Sequence, residues 1–407
     1  MTQYQITVDA DLLHQLFLGD SREKGVAALL ETVLNQVLQA QASEQIQAQP
    51  YERTDERRAY RNGTYPHTLS TRVGALTLQV PRFRDGQFST ELFARYQRSE
   101  QALVLALMEM VLNGVSTRKV TQVTEELCGT SFSKSTVSEL CKKLDPLVKS
   151  WAERPLTEKR YPFLVVDALY VKVRENGRVR SRGVLLAAGV NENGYRELLG
   201  LQVGDTESES VWGAFFEQLK ARGLHGVDQV TSDHHGGLVK AIRSQFQGAT
   251  WQRCQTHFMR NILDKTPKIL RPEMKLRVRT IFEAVDLDTG RKLLEQTLEH
   301  FAEQAPNAMQ TLEEGFDDAT AVLSLPPRIR IRLRTSNAVE RLNGELRRRE
   351  RVIRVFPNRE SVFRLFGALL MEQDDKWNGD KRYLDLHDYW IWRNAKAKPN
   401  EPMSAAD

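Results

Sequence analysis

Phe163-Leu164-Val165-Val166-Asp167 sets a carboxylate at the end of four apolar residues. A second run, Val227-Asp228-Gln229-Val230-Thr231-Ser232, leads to Asp233. Short apolar runs of this kind read as buried strands. A carboxylate at such a strand end is costly unless it is paired or binds a cation. Glu340 stands in a third context, opening the helical, Arg-rich stretch Ser336-Asn337-Ala338-Val339-Glu340-Arg341-Leu342-Asn343. Two carboxylates at strand ends and one on a later helix can converge on a pair of divalent metal ions. Such a pair clamps the attacking and leaving oxygens of a phosphodiester.

The segments around Asp167 give the core its order. Phe163–Val173 reads as a strand, Asn176-Gly177 as a two-residue hairpin turn, and Val179–Val190 as a second strand with a kink at Gly183. Asn193-Gly194 turns into a third strand, Glu197–Val203. A helix, Ser208–Arg222, follows with Val211, Trp212, Phe215, Phe216 and Leu219 on one face, then strand Val227–Ser232 and a helix through Leu238, Val239 and Ile242. If the fourth strand returns parallel to the first, the two lie side by side and both aspartates face one site edge. That is a ribonuclease-H-like α/β arrangement. Residues 256–327 read as an all-α insertion into this core, ended by Pro326-Pro327. The expected core is therefore split into 158–255 and 328–392, the second part carrying a helix with Val339, Leu342 and Leu346 buried. The tail, 393–407, reads as disordered.

Upstream, residues 1–50 read as a helical region, with Leu30, Val33, Leu34, Val37 and Leu38 at helical spacing. Residues 51–98 read as a small basic β-hairpin, with Asn62-Gly63 as a turn signal, alternation about Gly74 from Leu69 to Val80, and Pro81-Arg82 closing it. Residues 99–157 read as three helices, the last two arranged as a helix-turn-helix with stops at Gly114 and Gly129 and caps at Ser116 and Ser133. Lys134, Ser135, Thr136, Ser138, Lys142 and Lys143 point outward on the third helix and suit phosphates and base edges. Any small three-helix bundle shares that spacing.

The chain has 407 residues, 41% hydrophobic and 27% charged, enough for more than one domain and a sizeable core. Net charge is only +5, but eleven Arg face three Glu between Arg328 and Arg359. A block of that kind suits a polyanion such as nucleic acid. Within it, Arg341, Arg347, Arg348, Arg349, Arg351 and Arg354 are the expected DNA contacts. Three cysteines make no disulfide framework, which excludes a stapled secreted scaffold. The start of the chain lacks the basic and apolar regions of a signal peptide, and no apolar run nears the roughly 20 residues a bilayer requires. The expected location is cytoplasmic and nucleoid-associated, with no membrane partner and no small-molecule cofactor.

Three further blocks join the acids: Thr231-Ser232-Asp233 before His234-His235-Gly236-Gly237-Leu238; Trp251-Gln252-Arg253-Cys254-Gln255-Thr256-His257-Phe258-Met259-Arg260-Asn261; and Thr335 through Asn343. With Arg61-Asn62-Gly63, Val80 through Arg84, Gly114 through Arg118 and Arg154-Pro155-Leu156, in that order, the chain resembles the Mutator-type bacterial insertion-sequence transposases from about residue 50 to 375. The resemblance implies a DDE transposase in which Asp167, Asp233 and Glu340 are the catalytic acids and hold two Mg²⁺ ions, Mn²⁺ substituting. It implies DNA partners, namely terminal inverted repeats and target, and concerted work on two ends implies a homodimer. Asn337 and Asn343 flank Glu340 in the motif and favour it over Glu345, which reads as a solvated partner of the arginines. His234-His235 departs from the pattern, where a single His or another polar residue is expected.

Cys254 and His257 read either as half of a zinc site, lacking a second close pair, or as a hydrogen-bonded pair supporting the core. Trp251 reads as core, or as a platform for an exposed base. Two rivals remain at this stage: a metal-dependent nuclease or resolvase on the same fold, and a catalytically inert DNA-binding regulator.

Overall fold

In the central strand alternate side chains face opposite ways, and that parity decides what Asp167 can meet. The computed structural model describes residues 5–18, 22–84, 88–90, 92–93, 99–128, 132–379 and 382–397. The chain divides into two compact units, Met1–Lys143 and Leu144–Asp407.

In the first unit, α1 (Ala10–Leu18) and α2 (Arg22–Ile46) precede a hairpin of β1 (Arg61–Thr71) and β2 (Gly74–Phe83). Leu38 of α2 is buried against Leu69, Leu76, Leu78 and Val80, the last three alternating along one face of β2. The hairpin turns between Thr71 and Gly74, not at Asn62-Gly63. Asn62-Gly63 instead lies within β1, where the ladder is irregular between Arg61 and Thr64 and Gly63 takes φ +72°. The positive φ that suits Asn-Gly to a tight turn serves a strand irregularity here. Pro81-Arg82 likewise lies inside β2.

Three helices complete this unit: α3 (Gln101–Leu112), α4 (Thr117–Cys128) and α5 (Lys134–Cys141). Ser133 caps α5 by accepting from the Thr136 amide at 3.0 Å. Thr121 Oγ1 donates to the Phe132 carbonyl at 2.6 Å and ties α4 to the start of α5. Gly129, read as the stop of α4, falls outside the described residues. The division after Lys143 cuts the 99–157 segment. The next helix, α6 (Asp145–Ala152), belongs to the second unit because Trp151 Nε1 donates to Asp374 at 3.0 Å and Arg364 pairs with Asp145 at 2.5 Å.

The second unit is mixed α/β. Its sheet contains β3 (Phe163–Glu175), β4 (Arg178–Val190), β5 (Arg196–Gly204), β6 (Gln229–Ser232) and β7 (Thr250–Arg253), in the order β5-β4-β3-β6-β7. β3, β4 and β5 are antiparallel neighbours, whereas β6 and β7 run parallel to β3. Asn176 and Gly177 both take positive φ, the two-residue turn their sequence calls for. The sheet irregularity sits at Ala187/Ala188 rather than at Gly183. β7 went unread as a strand because it is only four residues long and half polar.

Helices α7 (Glu209–Ala221) and α8 (Gly236–Gln245) cover one face. Leu164 and Val166 pack there with Trp212, Phe215, Phe216, Leu238 and Ile242. Phe163 points the other way, into a cluster with Ile329, Leu333 and Tyr389. Asp167 shares the parity of Phe163 and so faces away from α7 and α8.

After β7 come α9 (Gln255–Asp264), α10 (Arg271–Phe282), α11 (Leu287–Phe301) and α12 (Pro306–Thr320). They bury a core of their own around Phe258, Ile262, Val278, Phe301 and Phe316. Pro327 opens α13 (Pro327–Leu333), which leads to α14 (Asn337–Ile353), α15 (Arg359–Gly379) and α16 (His387–Ala397). Residues 393–397 of the expected tail are thus helical: Arg393 pairs with Asp228 at 2.7 Å. The remainder, 398–407, lies outside the described residues. No helix among the described residues is long and apolar enough to cross a membrane.

α15 is joined to the edge strand by a buried carboxylate. Asp374 accepts from Trp151 Nε1 at 3.0 Å, the Leu198 amide at 2.6 Å and Arg154 at 2.9 Å. Burial raises its pKa, and these donors oppose the rise. Asp374→Ala leaves three donors, one of them the partly buried Arg154 guanidinium, without their acceptor. It is expected to cost about 3–5 kcal/mol, read as a lower urea midpoint with unchanged m-value.

Candidate active site

The β3–β6 register sets the two aspartates level. Val165 pairs with Thr231, and Asp167 and Asp233 each lie two residues beyond that pair. Ser232 pairs with Arg253, so Cys254 is the next residue on the adjoining strand path, and its amide donates to the Ser232 carbonyl at 2.8 Å. Asp167, Asp233 and Cys254 therefore stand in a row across β3, β6 and β7.

α14 brings the third acid. Ser336, Glu340 and Asn343 are spaced by four and three residues, which places them on one helical face. Asn343 Nδ2 donates to Asp167 Oδ2 at 2.7 Å, and the Ala168 amide donates to Asp167 Oδ1 at 2.9 Å. Ser336 gives its amide and hydroxyl to Cys254 Sγ at 3.4 and 3.3 Å. Its side chain makes no capping bond to α14. Asn337 is exposed and meets Thr256 Oγ1 at 3.4 Å.

His257, in the first turn of α9, closes the network. Its Nδ1 touches Asp233 Oδ1 and lies 3.6 Å from Glu340 Oε1. The Asp233 contact is close but not aligned as a hydrogen bond. Asp233 Oδ1, His257 Nδ1, Glu340 Oε1 and Asn343 Oδ1 are all buried without a hydrogen-bond partner. The Asp233 carboxylate, with Cys254 beside it, raises His257 to about 10. Burial raises the Cys254 thiol, but the adjacent His257 and the hydrogen bonds from Ser336 outweigh it and leave the pKa lowered. Among the described residues, Asp233, Cys254 and His257 form a set whose ligand atoms all lie within 4.8 Å of one another.

Burial first, and the Asp233 charge second, raise Asp167 to about 7. Glu207 is a further acid that sequence reading missed. It lies just before α7, and its charge bears on both Asp167 and Asp233. His235 Nδ1 lies 3.8 Å from it. Only its place in the β5–α7 turn marked it, and that required knowing that the turn passes the sheet edge.

The other expected site residues separate by face. Trp251 is buried, its indole donating to Ser232 Oγ at 2.9 Å, so it belongs to the core. Glu345 is exposed and pairs with Arg348 at 3.1 Å and with Arg349. Arg341, Arg347, Arg348, Arg351 and Arg354 are exposed. Arg349 is buried: it follows Val339, Leu342 and Leu346 on the inward stripe of α14, so it is withdrawn from the expected DNA contacts. In the first unit Lys134, Ser135, Thr136, Ser138, Lys142 and Lys143 are exposed, with Lys142 paired to Glu139 at 2.7 Å.

Residues 1–379 match the family model described as "Transposase, Mutator family". The chain belongs to the Mutator transposase family. The match takes in the N-terminal helices, which the motif blocks did not reach. The chain is similar to the transposase for insertion sequence element IS256 in transposon Tn4001 of Staphylococcus aureus, 43% identical over 398 residues, covering 97% of this chain and 98% of that protein. It is 44% identical over 368 residues to the transposase for ISRM5 of Rhizobium meliloti, covering 90% and 92%. The transposase for IS1081 of Mycobacterium tuberculosis is 39% identical over 396 residues, covering 97% and 95%.

A carboxyl group raised on folding favours the fold only while protonated. That contribution is complete below the ordinary 3.8 and is lost as pH climbs through about 7. In EDTA near pH 8, Asp167→Asn is therefore expected to melt higher than the native chain, by about 2–4 °C per kcal/mol relieved. The two curves should converge near pH 4. A lower melting point for the variant at both pH values would refute this balance.

Proposed function

We propose that this Mutator-family transposase binds the terminal inverted repeats of its insertion sequence and catalyses metal-dependent strand cleavage and strand transfer. The observation that carries the reading is the single contact network linking Asp167, Asn343, Glu340, His257 and Asp233. The strand order supports a ribonuclease-H-like catalytic core, interrupted by the helical block after β7. Carboxylate oxygens of Asp233 and Glu340 that gather at one point, beside His257 Nδ1, are hard donors of the kind that suit a hard cation. Asp167, Asp233 and Glu340 would hold two Mg²⁺ ions, with Mn²⁺ an effective substitute. Two such ions, when bound, stabilise charge on the attacking and leaving oxygens of an in-line displacement.

The chain's own residues supply orientation. Asn343 fixes Asp167 through Oδ2. His257 holds Asp233 against α9, and Cys254 anchors the start of α14 through Ser336. We read His257 and Cys254 as positioning residues. Arg347 follows Asn343 by four residues on the same helical face, where a phosphate approaching Glu340 would pass. Its exposed neighbours Arg348, Arg351 and Arg354 extend that surface. In the first unit, α4 and α5 would act as a helix-turn-helix on the element ends. Two ends joined in concert call for a homodimer, and DNA as substrate calls for a cytoplasmic, nucleoid-associated protein.

The test uses purified protein, Mg²⁺ and labelled element-end DNA. The native chain is expected to cleave and join strands, and Asp167→Asn to reduce both to background. Cleavage without joining, indifferent to end sequence, would favour a nuclease or resolvase; binding without cleavage would favour an inert regulator. Separately, Arg347→Ala with Arg348→Ala is expected to lower the slope of log affinity against log salt by about 1.8 on duplex DNA. An unchanged slope would return both arginines to the solvated surface.

A further inference from the structure

A cavity of about 310 Å³ opens beside α14, lined there by Asn337, Arg341, Leu342 and Glu345. Its wall carries three guanidinium groups, those of Arg196, Arg332 and Arg341. Arg196 lies between two rings, 4.3 Å from the Trp377 centroid and 4.2 Å from that of Tyr383. Arg332 lies 5.2 Å from the Tyr383 ring. Stacking of this kind fixes the plane of a guanidinium and so the direction of its N–H groups. Arg341 has no hydrogen-bond or ion-pair partner among the described residues and lies next to Glu340 in sequence. Among the described residues that line the cavity the acid is Glu345, already paired to Arg348 and Arg349.

We propose that this cavity is a nucleotide pocket that takes one unstacked nucleotide of a DNA strand next to the reacting phosphodiester. The inference rests on the transposase reading for its place in the reaction, but not for its chemistry. Arg332 and Arg341, facing a carboxylate already held by other arginines, call for an anion. The planar, bidentate donors of arginine fit a phosphodiester. Trp377 and Tyr383, with the apolar flank of Leu342, provide a wall for a sugar and base rather than for phosphate alone. Size decides the strand state. A duplex cannot enter so small a cavity, whereas a nucleotide turned out of the stack can. α14 then has one face toward the acids and another toward the displaced nucleotide. Holding that nucleotide would keep the adjoining phosphodiester from sliding past Glu340.

The experiment measures fluorescence anisotropy with a short fluorescein-labelled oligo(dT) and with a labelled duplex of equal length, across a salt series. Arg332→Ala with Arg341→Ala is expected to weaken oligo(dT) binding roughly tenfold and to lower its salt slope by about 1.4, the value for two single-strand phosphate contacts. Duplex affinity should fall by a clearly smaller factor. Arg341→Lys keeps the charge and should lose part of the affinity while retaining the slope. Both arginines are exposed, so the fold is not at stake, and matching circular dichroism spectra verify it. Lys292→Ala, exposed on α11, is the reference and should bind oligo(dT) as the native chain does. Loss of oligo(dT) affinity in the arginine variant alone supports the pocket, even if the cleavage assay fails. Equal losses on both DNAs, or no loss on either, overturn it. Free dTMP should compete better than inorganic phosphate; equal competition would reduce the site to a phosphate contact and overturn the nucleotide assignment.

Discussion

Asp167 is a carboxylate in the middle of a strand, on the face opposite α7 and α8, and it must be satisfied there. Everything nearby answers that constraint. The parallel pairing of β3 with β6 brings Asp233 level with it, which adds repulsion rather than relief. Relief comes from α14, whose Asn343 donates to one carboxylate oxygen while the Ala168 amide donates to the other. His257 then sets positive charge between Asp233 and Glu340. The acids are thus held close by donors and one imidazole, a costly local arrangement that the surrounding core must offset.

Much of the second unit is legible in the sequence. Asn176-Gly177 stated its own turn, because both residues tolerate positive φ and little else joins two long strands so tightly. The aromatic stripe of α7 read correctly because helical periodicity is a local property. Asn62-Gly63 misled for the complementary reason: the dipeptide reports a permitted backbone conformation, not what use the fold makes of it. β7 was too short and too polar to register, although it carries the chain to Cys254.

At the site, the sequence identified candidate residues better than it identified partners. Asp167, Asp233 and Glu340 stood out because each carboxylate sat in a context where a charge needs a reason. Asn343 was noted only as part of a block, and its bond to Asp167 depends on tertiary pairing of α14 with β3. Glu207 had no local signature. Arg349 shows the limit of charge density as a guide: a run of arginines announces a polyanion surface, but helical phase decides which of them reach it.

That phase has a structural consequence. α14 presents Glu340 and Asn343 inward to the aspartates, Val339, Leu342 and Leu346 to the core, and Arg341 and Glu345 to the cavity beside it. One rigid rod therefore carries three separate alignments. Substitutions can alter each alignment separately, but a one-residue insertion or deletion turns the remainder of the rod by about 100° and spoils all three together. The helix can vary in side chain far more freely than in length.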